Sequence, residues 1–362
     1  MIKFFRWISI VLMIGGSIPM WAQTNTPKYS NEFLSIGVGA RALGMSNTQV
    51  SLANDVTAGY WNPAGLLDIT AQYEFELMHA ELFAGIANYD YAAFATPIDS
   101  ANHLAISIIR FGVDDIPDTR FLYDANGVLN YDNISFFSAA DYAFMFSYAR
   151  RVNFIPGLKL GANFKVVHRT VGDFANAWGF GVDIGAQLAS GPWQFGLMVR
   201  DVTGTFNAWS HNSEELADIF TLTGNEIPQN TWEITLPKAI LGVSRSWALG
   251  DRFNLLTAID LDVTFDGKRN VLVKSDPISI DPHIGLELGY KQLVYLRTGL
   301  GNIQEIKNFD GGTSRNAQAN FGLGIRINRV QIDYALTDLG DQSDALYSHI
   351  FSLKASLDKE SK

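Results

Sequence analysis

Three sets of neighbouring carboxylates have the spacing for acid–base work. Asp114 and Asp115 are adjacent, as are Glu214 and Glu215, while Asp260 and Asp262 stand two apart, on one face of any strand. Adjacent acids between strands are ordinarily solvated charge, and acids on an inward strand face line water or pair with cations such as Lys165 or Arg169. Gly37-Val38-Gly39-Ala40-Arg41-Ala42 matches in letters the fingerprint that seats a dinucleotide pyrophosphate. No strand precedes it and no crossover unit follows, so the match lacks its context. The six histidines, His79, His103, His168, His211, His283 and His349, show no ligand spacing, and no G-x-S-x-G, H-E-x-x-H or P-loop occurs. Cysteine is absent, which removes disulfides, thiolate sites and thiol nucleophiles. The expectation is a protein without catalytic residues, cofactor or metal.

The elements that carry these residues follow from composition and period. The chain of 362 residues is 47% hydrophobic but only 18% charged, below the quarter usual for soluble domains. With 27 Lys plus Arg against 37 Asp plus Glu it has no basic surface for nucleic acid. Residues 1–22 read as a secretory signal: Lys3 and Arg6, an apolar run from Trp7 to Ile18, then Met20-Trp21-Ala22 before the cut. No later run approaches the length of a membrane helix. The apolar residues instead recur with period two. Trp178, Phe180, Val182, Ile184, Ala186 and Leu188 alternate with Gly179, Gly181, Asp183, Gly185 and Gln187; Phe253 to Val263 alternate in the same way, with Asp260 and Asp262 on the polar face. Outer-membrane strands do this, one face to lipid and one to the lumen, over about 10 residues.

That template predicts fourteen strands, near residues 70–81, 88–96, 102–112, 139–149, 158–170, 177–188, 192–201, 239–247, 253–264, 283–291, 293–301, 318–327, 329–337 and 348–357. Short and long connections alternate between them, as periplasmic turns and outer loops do, with 113–138 and 202–238 the longest outer segments. The fold class expected is all-β: a fourteen-stranded antiparallel transmembrane β-barrel over residues 70–357, with a polar tail at 358–362. Glycines on the inward face, among them Gly179, Gly181, Gly185, Gly285, Gly289, Gly322 and Gly324, leave space in a lumen too wide for strand side chains to fill. Residues 23–69 are the expected hatch, or plug.

Within that segment Asn31, Phe33, Gly39, Arg41, Leu43 and Gly44 form one run, and Trp61, Asn62, Pro63, Ala64 and Gly65 another. Asn62-Pro63 is a turn signal ahead of the first strand, and Gly65 is free to take positive φ. Small residues there let backbone pass close to a barrel wall, and Arg41 is expected to pair with an inward acid such as Asp183 or Asp260. These runs, with Phe111-Gly112-Val113-Asp114-Asp115-Ile116-Pro117 and the closing Ile332-Asp333-Tyr334-Ala335-Leu336-Thr337-Asp338-Leu339-Gly340, resemble the PorV/PorQ family of Bacteroidetes outer-membrane proteins. That family is itself similar to the FadL family of fourteen-stranded transporters with an N-terminal hatch. One departure is the end of the chain, where Leu357 is followed by charged residues rather than closing on an aromatic strand residue.

The resemblance implies an outer-membrane protein, surrounded by lipid, that accompanies type IX secretion and binds translocon or attachment partners or the C-terminal domains of cargo. The candidate contact residues are Asp114, Asp115, Ile116 and Pro117 in one outer segment and Phe206, Trp209 and Phe220 in the other, where aromatics stand outside the expected bilayer band. The alternative is a FadL-like transporter in which hatch residues such as Phe33, Leu34 and Leu43 line a site for a hydrophobic small molecule and a lateral gate. A third reading is that the hatch residues merely hold the hatch in place.

Overall fold

The structure, a computed structural model, describes residues 30–123, 126–224, 226, 229–307, 311–339 and 347–358. The signal segment 1–22, residues 23–29 of the expected hatch and 359–362 of the tail lie outside the described residues. Among the described residues sixteen strands follow the N-terminal segment. They are β1 (Tyr73–Leu82), β2 (Ala87–Pro97), β3 (Asn102–Asp118), β4 (Ser135–Arg151), β5 (Leu158–Val171), β6 (Ala175–Ser190), β7 (Trp193–Arg200) and β8 (Thr205–His211). A helix, α1 (Ser213–Thr223), precedes β9 (Thr231–Thr235), β10 (Lys238–Leu249), β11 (Phe253–Thr264), β12 (Ser279–Tyr290), β13 (Val294–Lys307), β14 (Thr313–Ile327), β15 (Val330–Leu339) and β16 (Ser348–Leu357).

Every pairing between these strands is antiparallel, and β1 pairs with both β2 and β16. With β5 on β6, the sheet closes into a fourteen-stranded barrel in which β8 and β9 prolong the wall beyond β7 and β10. The alternation is visible strand by strand: along β1 Tyr73, Phe75 and Leu77 face outward and Glu74, Glu76 and Met78 face inward. Leu77 is 59% exposed, Ile106 53% and Leu296 52%, and comparable side chains cover the outside. An apolar surface this continuous is stable against hydrocarbon and not against water.

The long segment expected as a loop at 202–238 is instead mostly regular. β8 pairs with the outer half of β6, Phe206 opposite Phe180, while β7 pairs with its other half, Ile184 opposite Val199. Residues 201–204 and 236–237 interrupt the two ladders; Asp201 has φ 56° and Gly204 φ 67°, and Pro237 has no N–H to donate. The other long segment is also shorter than expected, because β3 runs on to Asp118 through a bulge at Asp114 and Asp115, the latter at φ 55°, and β4 begins at Ser135.

Candidate functional site

Residues 30–71 are almost continuously buried and touch strands from opposite parts of the wall through their buried faces, so they occupy the barrel interior. The segment is built from single turns. Asn31 takes a left-handed conformation before the turn Glu32–Ser35, and Gly39 at φ 82° starts Ala40–Leu43. Asn62 caps Pro63–Asp68 by accepting the Ala64 N–H at 3.3 Å, with Pro63 at a position needing no donor. Tyr60 and Trp61 meet edge to face at 4.8 Å; the Trp61 indole donates to the Val38 carbonyl at 2.9 Å and the Tyr60 hydroxyl to the Leu34 carbonyl at 2.5 Å.

Glycines set the height of the segment on one side of the lumen. A Cβ at Gly161 would meet Pro63 and Ala64, at Gly185 Asn62 and Pro63, at Gly196 Val50, and at Gly242 Ser51. Further round, Gly285 and Gly299 face Met45, and Gly322 packs on Gly44, where an added Cβ on Gly44 would lie 2.9 Å from the Gly322 Cα. Gly196 is opposite Gly242 in register and Gly285 opposite Gly299, so these positions form a band around the wall. Only the absence of side chains lets backbone lie against backbone there.

Charge fixes the segment sideways. Arg41 donates to both oxygens of Glu287, at 2.9 and 3.0 Å, and Arg297 bridges Glu287 at 2.6 Å to Asp333 at 2.7 Å. The Glu287 carboxylate raises the Arg41 guanidinium further above its usual value despite the opposing effect of burial. Asp55 accepts from Lys354 at 2.5 Å and from the Thr57 N–H at 3.0 Å. Burial would push the Asp55 carboxyl up, but Lys354 and then Arg41 hold it well below the ordinary carboxylate range. One oxygen of Asp260 accepts the Gln49 and Val50 N–H groups at 2.8 and 2.9 Å. Lys165 lies between Asp183 at 2.8 Å and Asp201 at 2.5 Å, under the interruption in the wall.

Above the segment, toward the end with the longer connections, lies a cavity of about 510 Å³. One side is apolar: Leu43 and Trp61 from the segment, Leu82, Phe83 and Tyr89 from β1, its turn and β2, and Ile350 from β16. The other is polar and belongs to β10–β14, including Asp262, Asp281, His283, Gln304 and Asn320. A second, narrow pocket beneath the wall interruption is lined by Asn31, Leu34, Lys165 and Arg200 together with Leu236 and Pro237.

Several expected placements change. Arg41 pairs with Glu287, not Asp183 or Asp260, because Asp183 is taken by Lys165 and Asp260 by two segment N–H groups. Asp262 pairs with Lys238 at 3.0 Å and Arg169 with Asp141 at 2.7 Å. Gly65 is not among the positive-φ residues; it is small because a Cβ would strike the Ala53 carbonyl. Asp114, Asp115, Ile116 and Pro117 belong to β3, Phe206 and Trp209 to β8, and Phe220 to α1, so none is a loop residue. Phe206 packs at 6.0 Å on Phe180 and 5.8 Å on Trp232, and Arg169 lies 5.1 Å over the Trp209 ring. Of the three hatch residues expected at a binding site, Leu43 lines the cavity and Leu34 the second pocket, whereas Phe33 is buried in the apolar core. Sequence reading missed the cavity residues of β12–β14. Their signal was the run of amides at Asn302, Gln304, Gln318 and Asn320 in strands otherwise apolar on the other face.

No protein-family model matches the chain, and no curated protein is similar to it in sequence. Solved structures do match in shape. The toluene transporter TbuX of Ralstonia pickettii is similar over 89% of this chain and 98% of its own, with a TM-score of 0.53 and 14% identity. The monoaromatic hydrocarbon channel CymD matches over 90% and 99%, at TM-score 0.55 and 12% identity. The P. putida toluene transporter TodX matches over 90% and 99%, at TM-score 0.53 and 12% identity. The chain therefore has the barrel fold of these hydrocarbon transporters.

Proposed function

We propose that this chain is an outer-membrane transporter that takes hydrophobic or amphipathic small molecules from outside the cell. The observation that carries the reading is the outward cavity, apolar on one side and floored by the N-terminal segment, in a fold shared with toluene and monoaromatic transporters. In this reading residues 30–71 act as the hatch. A ligand passes the floor only if the segment yields or if it leaves sideways through the interrupted ladders at 201–204 and 236–237. Uptake of a labelled hydrophobic compound by cells lacking the protein tests this. Uptake falls on deletion and is restored by the wild-type chain but not by Leu43→Trp, which narrows the cavity. Equal uptake with and without the chain overturns the reading.

A second reading, association with type IX secretion as a PorV/PorQ-type protein, is favoured by the N-terminal runs and by the outer end of the β3–β4 connection. There Phe121, Tyr123, Tyr131 and Phe136 are each at least 60% exposed beyond the strand stretch that faces lipid. Recovery of translocon subunits, or of cargo sharing a C-terminal domain, in a mild-detergent pull-down supports it. A partnerless barrel carrying apolar ligand counts against it.

A further inference from the structure

The polar side of the cavity narrows the chemistry of what the cavity takes, on the footing of the transport reading above. Most of its charges are already matched within the protein. Lys238 pairs with Asp262 at 3.0 Å, and Arg269 with Asp266 at 2.6 Å and with Glu32 at 3.9 Å; the His283 ring stands 3.6 Å from Asp281 and matches its charge only when protonated. Arg200 is spent on the Leu34 carbonyl at 3.0 Å and the Tyr60 hydroxyl at 3.1 Å, with its plane 4.3 Å over the Tyr60 ring. An ionic ligand would have to break one of these arrangements.

What remains unmatched is neutral or oxygen-centred. On the polar wall Thr264 Oγ1, Asp281 Oδ1 and Asn320 Oδ1 are buried and have no hydrogen-bond partner within the protein. Two of the three can only accept, so a molecule that satisfies them must bring O–H or N–H donors. Buried polar atoms are almost always satisfied by protein, water or ligand, and three on one wall of a cavity mark a place built for such a molecule. Facing them across the cavity are Leu43, Leu82, Phe83 and Ile350, with the Trp61 ring between. A plain hydrocarbon would leave the oxygens unsatisfied, and a free polyol would leave the apolar wall wet.

We infer that the cavity binds an uncharged amphiphile with a hydroxyl-rich headgroup, the headgroup on β11–β14 and the tail against β1, β2 and β16. The test uses the full chain in nanodiscs free of glycoside detergent, with equilibrium binding of hexyl β-glucoside, toluene, hexanoate and hexylammonium. Hexyl glucoside binds at one site per barrel, at least tenfold more tightly than the other three. Thr264→Val and Asn320→Leu each weaken glucoside binding at least tenfold and leave toluene binding within twofold. Gln304→Leu, at an exposed rim position, weakens glucoside binding in a protein whose folding is not at issue. Tighter binding of toluene, unchanged in the variants, overturns the headgroup assignment and leaves the transport reading standing. Tightest binding of either charged amphiphile overturns it by showing that an internal ion pair opens. No binding of any probe, together with uptake unchanged on deletion, overturns both.

Discussion

Around β16, β1, β2 and β3 the N-terminal segment is held mainly by apolar contact, with one buried ion pair between Asp55 and Lys354: Val38, Ala40, Trp61 and Leu66 share one cluster with Met78, Ala80, Tyr89, Ile109 and Ile350. Around β5–β7 and β10–β14 the same segment lies largely on glycine backbone, with small apolar clusters at Met45 with Leu256 and at Val50 with Met198. The first side stabilises by area removed from water, which is large and tolerant of direction. The second depends on close approach, hydrogen bonds and paired charge, each small and each demanding one geometry. The cavity opens between the two, its apolar wall continuing the first side and its polar wall the second. On the transport reading proposed above, a segment anchored by area on one side and by fit on the other would yield from the fitted side while staying attached.

The comparison is broken most directly on the apolar side. Trp61→Ala removes a side chain only 3% exposed and its bond to Val38, and is expected to cost about 3–5 kcal/mol. Denaturant unfolding of the purified barrel reads the loss, and protease cleavage within residues 30–71 shows whether the segment detaches. A cost under about 1 kcal/mol would mean that area is not the anchor. Lys354→Met comes next, because it leaves Asp55 buried beside Glu74 without its cation, at about 3–5 kcal/mol. Adding Asp55→Asn should recover much of that. The pH dependence has a definite sign. A carboxylate held below its unfolded value contributes stability present above about pH 4 and lost as pH falls through the folded value. The damage from Lys354→Met should therefore be greatest at neutral pH and shrink in acid; damage that grows in acid would contradict the pairing.

Much of the wall was legible because its signal is local. Period two is written in each strand, and β11 and β16 begin and end where alternation begins and ends. The extension of the wall through β8 and β9 was not, since Gly204 and Pro237 punctuate the segment as a loop would and Ser213–Thr223 has helical character. There a bulge, which re-aims a strand, looks the same in sequence as an end. The inward glycines were visible as a group, but their meanings differ: Gly185, Gly285 and Gly322 receive the segment, whereas Gly179 and Gly181 make room for Asn207 and Thr205 of β8. Which is which depends on height in the barrel, and height depends on register summed across strands. Arg41 illustrates the limit. Its need for an acid was clear from its type, but Glu287 is 246 residues away and only closure of the barrel brings it to 2.9 Å.

The fitted side is sharpened by adding volume where none is tolerated. Gly285→Val places methyl groups where Met45 and Thr48 now lie, and is expected to cost about 1–3 kcal/mol. If the two-sided attachment is right, this substitution should free the segment to proteases near residues 44–51 while leaving 58–69 protected. Uniform exposure would mean that the segment moves as one body.

The smallest effect separates anchoring from decoration. Lys159 contacts Asp68 at 2.5 Å and Gln187 at 2.9 Å, at the end of the segment nearest the short turns. The Asp68 side chain is 40% exposed, so water screens the pair and holding two side chains in one geometry offsets part of the attraction. Lys159→Gln should therefore change unfolding by no more than about 1 kcal/mol, and added salt should erase the difference. A larger, salt-independent loss would place a third anchor at the base of the segment, where the chain turns into β1. The segment would then be hinged at its C-terminal end, and release of the fitted side could open the lumen only toward Ser30 and the wall interruption.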